Sequence, residues 1–128
     1  MVVISLPAGN SSIVLECNES GWCQVYIRNG VNTYLGADST ISLKKKLRDF
    51  LDNRNALSVV GVHDGKEVGW VLCLDETHTT VYSARESECV ILYMQDQDAK
   101  FFATTTISNA ECDQWYSLLD PVAPEDSK

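Results

Sequence analysis

"ISLKKKLRDFLDN", residues 41–53, is one of two stretches in this chain with a helical period; most of the rest reads as short strands. Leu43, Leu47, Phe50 and Leu51 recur at i, i+4, i+7 and i+8, which draws one apolar stripe down a helix. The other stretch places Cys112, Trp115, Tyr116 and Leu119 at i, i+3, i+4 and i+7. Before and between these helices lie "SSIVLEC", "CQVYIR", "VNTYLG", "LSVVGVH", "EVGWVLCL", "TTVYSA", "CVILYM" and "KFFATTT", all rich in residues that suit a pleated, half-buried surface. The pattern predicts an α+β domain of antiparallel sheets carrying two helices.

Turn chemistry separates the strands. Asn29-Gly30 and Asp64-Gly65 each suit the positive φ angles of a two-residue hairpin turn, and weaker turns fall at Gly9-Asn10, Asp75-Glu76 and Gln97-Asp98. Partial self-matches at two offsets suggest a repeated β-β-β-β-α unit over about 1–55 and 56–120. Ile13–Glu19 resembles Trp70–Glu76 at an offset of 57, while Cys23/Cys89 and Ile41-Ser42/Ile107-Ser108 are related by 66. The difference of nine residues is assigned to an extra strand around "HTTVYSAR". The tail at 121–128, with two prolines and no period after Val122, is expected to be disordered.

With 128 residues the chain can bury about two-thirds of its unfolded surface, so residues 1–120 are expected to form a single domain. A net charge of −8 opposes attraction to nucleic acid or anionic membrane. No apolar run approaches the ~20 residues that cross a bilayer. "MVVISLPAGN" lacks the basic start of a signal peptide. Five cysteines, an odd number without a C-x-x-C pair, fit reduced thiols. A cytoplasmic location is therefore expected, with Cys17, Cys23 and Cys89 as small core hydrophobes.

Two consecutive four-strand-plus-helix units resemble the Whirly family of single-stranded-DNA-binding regulators, related in fold to positive cofactor four. The resemblance covers nearly the whole chain in pattern, but the family's Lys-Gly-Lys-Ala-Ala-Leu strand motif is absent, so no DNA-binding residue transfers. It implies nucleic-acid binding on a sheet, and oligomers.

Charge is distributed unevenly. Residues 42–54 carry five basic and two acidic side chains, whereas the remainder carries five basic and sixteen acidic. Ser108 and Glu111 form an S-x-x-E capping box, and the offset of 66 puts Ser42 at the equivalent N-cap. Lys44, Lys45 and Lys46 would then crowd the first turn, whose partial positive charge prefers carboxylates. Pairs Lys45/Asp49 and Arg48/Asp52 at i,i+4 make a solvated face a sufficient account of the helix. Its functional alternative is a contact through Lys44, Lys45, Lys46 and Arg48 with an acidic protein surface, or self-association.

A nucleic-acid site would interleave aromatics with cations. The first hairpin offers Tyr26 and Arg28, with Tyr34 on the opposite face if the turn has two residues. Trp22, Trp70, Tyr82, Tyr93, Phe101 and Phe102 are read as core. His63 is expected beside the Asp64-Gly65 turn, exposed, and Asp75, Glu76 and His78 form a compact acid/base group that could serve a small ligand or an enzyme. No nucleotide-binding, hydrolase or metal motif occurs, so no catalytic residue, metal ligand or cofactor is assigned. The favoured reading is a non-enzymatic binding or regulatory module. A single-strand nucleic-acid binder is the alternative.

Overall fold

The computed structural model describes residues 1–53, 61–63, 65–69, 71–74, 79–85, 89–98 and 101–119. Arg54, Asp64, Trp70, the Asp75/Glu76/His78 group and the tail lie outside them.

Four antiparallel strands open the chain: β1 (Val2–Ala8), β2 (Ser11–Cys17), β3 (Trp22–Asn29) and β4 (Val31–Ser39), in the sheet order β1-β2-β3-β4. Helix α1 (Thr40–Asn53) follows. A short hairpin, β5 (Gly61–His63) and β6 (Lys66–Val68), leads to a second meander of β7 (Val71–Leu74), β8 (Thr79–Arg85), β9 (Cys89–Gln95) and β10 (Phe101–Ser108). Helix α2 (Asn109–Leu119) closes the described chain. The α+β class and the order of four strands then a helix, twice, agree with the sequence pattern. The additional element is the β5-β6 hairpin. "HTTVYSAR", read as an added strand, instead supplies β8, an inner strand of the second sheet.

One apolar core joins both four-stranded sheets and both helices. Alternate residues point into it: Ile4 and Leu6 from β1, Ile13 and Leu15 from β2, Val25 and Ile27 from β3, Leu92 and Met94 from β9. The helices add the stripes read from sequence, Leu43, Leu47, Phe50 and Leu51 from α1 and Cys112, Trp115 and Leu119 from α2. Helix α1 packs near β3 and β4, α2 near β1 and β10, and the helices meet each other. There the Phe50 and Trp115 rings lie 6.0 Å apart and tilted by 57°, a favourable edge-to-face geometry. An apolar void of about 20 Å³ sits among Leu15, Leu35, Leu47, Phe50, Leu92 and Trp115, far below the hundreds of Å³ of a ligand pocket.

The sheets also meet along a seam between β1 and β10. Thr105 Oγ1 donates to the Ala8 carbonyl (2.7 Å), Trp115 Nε1 to the Pro7 carbonyl (2.7 Å), and Gly9 N to Glu111 Oε2 (3.0 Å). These bonds satisfy one half of an edge strand, whose backbone groups would otherwise be open. Outside the second sheet, Val68 of the short hairpin packs with Ala84 and Tyr93, and Tyr82 and Ile91 flank them. Tyr93 is thus buried as expected, in a small outer cluster and not in the main core.

Three sequence expectations are corrected here. Cys17 and Cys23 form a disulfide, because they face each other directly across β2 and β3 with Cα atoms 4.1 Å apart. An odd cysteine count is compatible with one pair, and Cys73, Cys89 and Cys112 are not disulfide-bonded. The pair removes the cysteine argument for a reducing compartment. In the chain-entropy account, closing so short a loop adds about 2 kcal/mol. A Cys17→Ser/Cys23→Ser variant is expected to lose that much in urea unfolding, with a loss below about 0.5 kcal/mol showing that the link contributes nothing.

The first hairpin is the second correction. Asn29 pairs with Val31 across Gly30 (φ 80°), not across a two-residue turn, so Tyr26 lies directly opposite Tyr34. A slip of one residue exchanges the two faces of a strand, and Tyr34 moves to the face that carries Tyr26. By contrast, His63 pairs with Lys66, the two-residue spacing expected of the second hairpin, with His63 at the strand end as read from sequence. The third correction concerns the cap of α1 and bears on the site.

Candidate functional site

Ser39, not Ser42, caps α1: its Oγ accepts the Ser42 backbone N–H at 3.1 Å, the N-cap to N3 bond. In α2 the expected capping box is present, with Glu111 N donating to Ser108 Oγ and Ser108 N to Glu111 Oε1. Equivalent caps are therefore 69 residues apart rather than 66. The three lysines move from the first turn to the fifth, sixth and seventh helical positions, where the N-terminal field is weaker.

The missing first-turn carboxylate comes from the residue before the cap. Asp38 is 7% exposed and accepts Ser39 N at Oδ1 (2.7 Å), Ser42 Oγ at Oδ2 (3.4 Å) and Lys46 Nζ at Oδ2 (2.7 Å). Lys46 thus neutralises a largely buried carboxylate and serves the helix start. It does not belong with the outward cations.

What remains on the surface of α1 is a compact group. At 100° per residue, Ile41, Lys44, Lys45 and Arg48 fall within one sector of the helix. Ile41 is 83% exposed, and Lys45 makes only a 4.0 Å pair with Asp49, both side chains being well exposed. Such a pair is worth little in water, so Lys45 can exchange Asp49 for another anion at small cost. Toward the other end of the helix Asp52 accepts the Tyr116 hydroxyl at 2.6 Å, tying α1 to α2. Sequence periodicity located the cations. It did not single out Ile41, although a large apolar residue off the buried stripe was the available signal.

A second surface lies on the outer face of the first sheet. Trp22, Gln24, Tyr26 and Arg28 alternate along β3 with the buried Cys23, Val25 and Ile27. Trp22, expected in the core, is 37% exposed because it belongs to this outward set. The Tyr26 and Tyr34 rings lie 5.3 Å apart at 53°. Tyr26 OH donates to Gln24 Oε1 (3.3 Å) and Arg28 Nε to Asn32 Oδ1 (2.8 Å), which orients both heads. Val14, in register with Tyr26, is fully buried on this face, so the face has an apolar floor.

The structure therefore brings Lys44, Lys45 and Arg48 together, assigns Lys46 to Asp38, and joins Tyr26 and Arg28 with Tyr34 and Trp22. Among the described residues, no three His, Cys, Asp or Glu side chains are grouped to hold a metal ion, and no helix is long and apolar enough to cross a membrane. No family model matches the chain, and no curated protein matches it.

Proposed function

We propose that this protein is a non-enzymatic binding module that contacts an acidic protein surface through Ile41, Lys44, Lys45 and Arg48. The observation that carries the reading is an 83%-exposed isoleucine framed by cations in a chain of net charge −8. Complementary charge speeds encounter and fixes register, while a central apolar side chain supplies area that a purely electrostatic contact lacks. An amphipathic acidic segment meets both demands.

A 20-residue acidic peptide with leucines at helical spacing serves as the probe. Binding is expected at low salt, weakening as salt rises, and Lys44→Glu with Lys45→Glu is expected to reduce affinity at least about tenfold, or 1.4 kcal/mol. An unchanged affinity in the double variant, with an unchanged unfolding midpoint, would overturn the reading.

One observation favours a second reading, the placing of Tyr26, Tyr34, Trp22 and Arg28 on one sheet face. Stacked bases on aromatic rings, with a guanidinium for phosphate, describe a single-stranded nucleic-acid platform. A single arginine, with Glu16 opposite Gln24 on the same face, offers little net charge there, which is why the helix reading ranks first. Oligo-dT binding that Tyr26→Ala and Tyr34→Ala weaken, and that Lys44→Glu does not, would reverse the ranking.

A further inference from the structure

The bonds that close β1 stop halfway along it. Pro7 has no N–H, and its carbonyl turns outward to Trp115, so Pro7 and Ser12 are a pair without mutual backbone bonds. Bonded and non-bonded pairs alternate along an antiparallel ladder, so Ser5/Val14 and Val3/Glu16 are of the same kind. The Cys17–Cys23 link supports this phase independently: Cα atoms 4.1 Å apart mark a non-bonded pair, which turns the Cys17 backbone toward Val2. The N–H and C=O groups of Val3 and Ser5 therefore point away from β2. Among the described residues, nothing bonds them.

The side chains at the start of the same half-strand are apolar and open. Met1, Val2 and Val3 are 77%, 62% and 56% exposed, and no charged side chain occurs before Glu16. Edge strands are normally blunted by charge, proline, a bulge or a covering element. In β1 the proline and the helix protect residues from Pro7 onward and leave Met1 to Ser5 unprotected.

We infer that β1 is an interface for a second copy of this chain, pairing antiparallel with the partner's β1 about a two-fold axis at Val3. That register matches Val3 with the partner's Val3, Val2 with the partner's Ile4, and Met1 with the partner's Ser5. The outward groups of residues 1, 3 and 5 then find partners together. The paired segment ends at Ser5, before α2 would obstruct it. An isologous contact needs a self-complementary surface. This strip supplies one with no charged side chains to oppose each other. The two sheets would join into one of eight strands.

The test is sedimentation equilibrium of the full chain from micromolar to millimolar concentration, in a Cys73→Ser background so that the exposed thiol cannot cross-link copies. The expected result is a reversible rise toward twice the 14.2 kDa chain mass. Val3→Pro removes only an outward N–H, as Pro7 already does on the same edge, and is expected to weaken self-association at least about tenfold with little change in unfolding midpoint. Val3→Lys sets two cations against each other at the axis and gives the same result should the proline variant fold poorly. A monomer throughout the range overturns the inference. So does a dimer that neither variant weakens.

Discussion

Trp115→Ala is expected to lower the unfolding free energy by about 5 kcal/mol, enough to leave much of the chain unfolded if its total stability is near the lower end of the usual 5–15 kcal/mol. Trp115 is fully buried, fills the junction between the helices against Phe50, and lines the central void. Removing the indole enlarges that void where two sheets and two helices converge, so no single element can collapse into it. Its N–H also bonds the Pro7 carbonyl on the edge of the other sheet. Trp115→Phe separates the two roles. It keeps most of the ring and loses the bond, at an expected cost of about 1–2 kcal/mol in urea denaturation. Equal losses for both variants would show that the hydrogen bond, not the packing, holds the junction.

Gly9→Ala is expected to cost about 3 kcal/mol, against about 1 kcal/mol for Gly30→Ala. Both glycines have positive φ, 63° and 80°, so each alanine carries the left-handed penalty. Only at Gly9 does an added Cβ meet anything, the Thr106 carbonyl oxygen at 3.0 Å, which is backbone of β10 and cannot swing aside. The Gly9 N–H bond to Glu111, which links the β1–β2 turn to the capping box of α2, is disturbed as well. The difference between the variants measures the β1–β10 seam. Equal costs would mean that the seam tolerates a methyl group and contributes little rigidity.

Much of this architecture was legible because it rests on period. Leu43, Leu47, Phe50 and Leu51 fixed one helix face, Cys112, Trp115 and Leu119 the other, and alternation in β3 placed Val25 and Ile27 inside. The Ser108–Glu111 box was readable because both partners lie in one short motif. Ser39 escaped because a cap depends on where the backbone leaves the strand, and a chance Ile-Ser match at offset 66 drew attention to Ser42 instead. Register was equally hidden. Asn29-Gly30 suits a two-residue turn, yet the chain pairs across Gly30 alone, and that one-residue difference decides whether Tyr34 joins Tyr26. The Cys17–Cys23 link follows from the β2–β3 register, which cysteine counting cannot supply. Of the candidate site, the cations of α1 could be read directly. Lys46 could not be told apart from its neighbours, because its partner Asp38 lies eight residues away across the helix start.

Ion pairing at the start of α1 also explains why the two surfaces differ in charge. Asp38 absorbs Lys46 to complete α1, while Lys44, Lys45 and Arg48 lie together in another sector of the helix. On the sheet, Arg28 stands among uncharged polar and aromatic groups, with Glu16 on the adjoining strand.

The most direct test of the account is a backbone-amide NMR titration of the full chain at low salt, first with the acidic leucine-containing peptide and then with oligo-dT. The predicted result is saturable shift changes centred on Ile41, Lys44, Lys45 and Arg48 with the peptide, lost in the Lys44→Glu/Lys45→Glu variant. Shifts confined to Tyr26, Arg28 and Tyr34 with oligo-dT, and no response of α1 to the peptide, would contradict it.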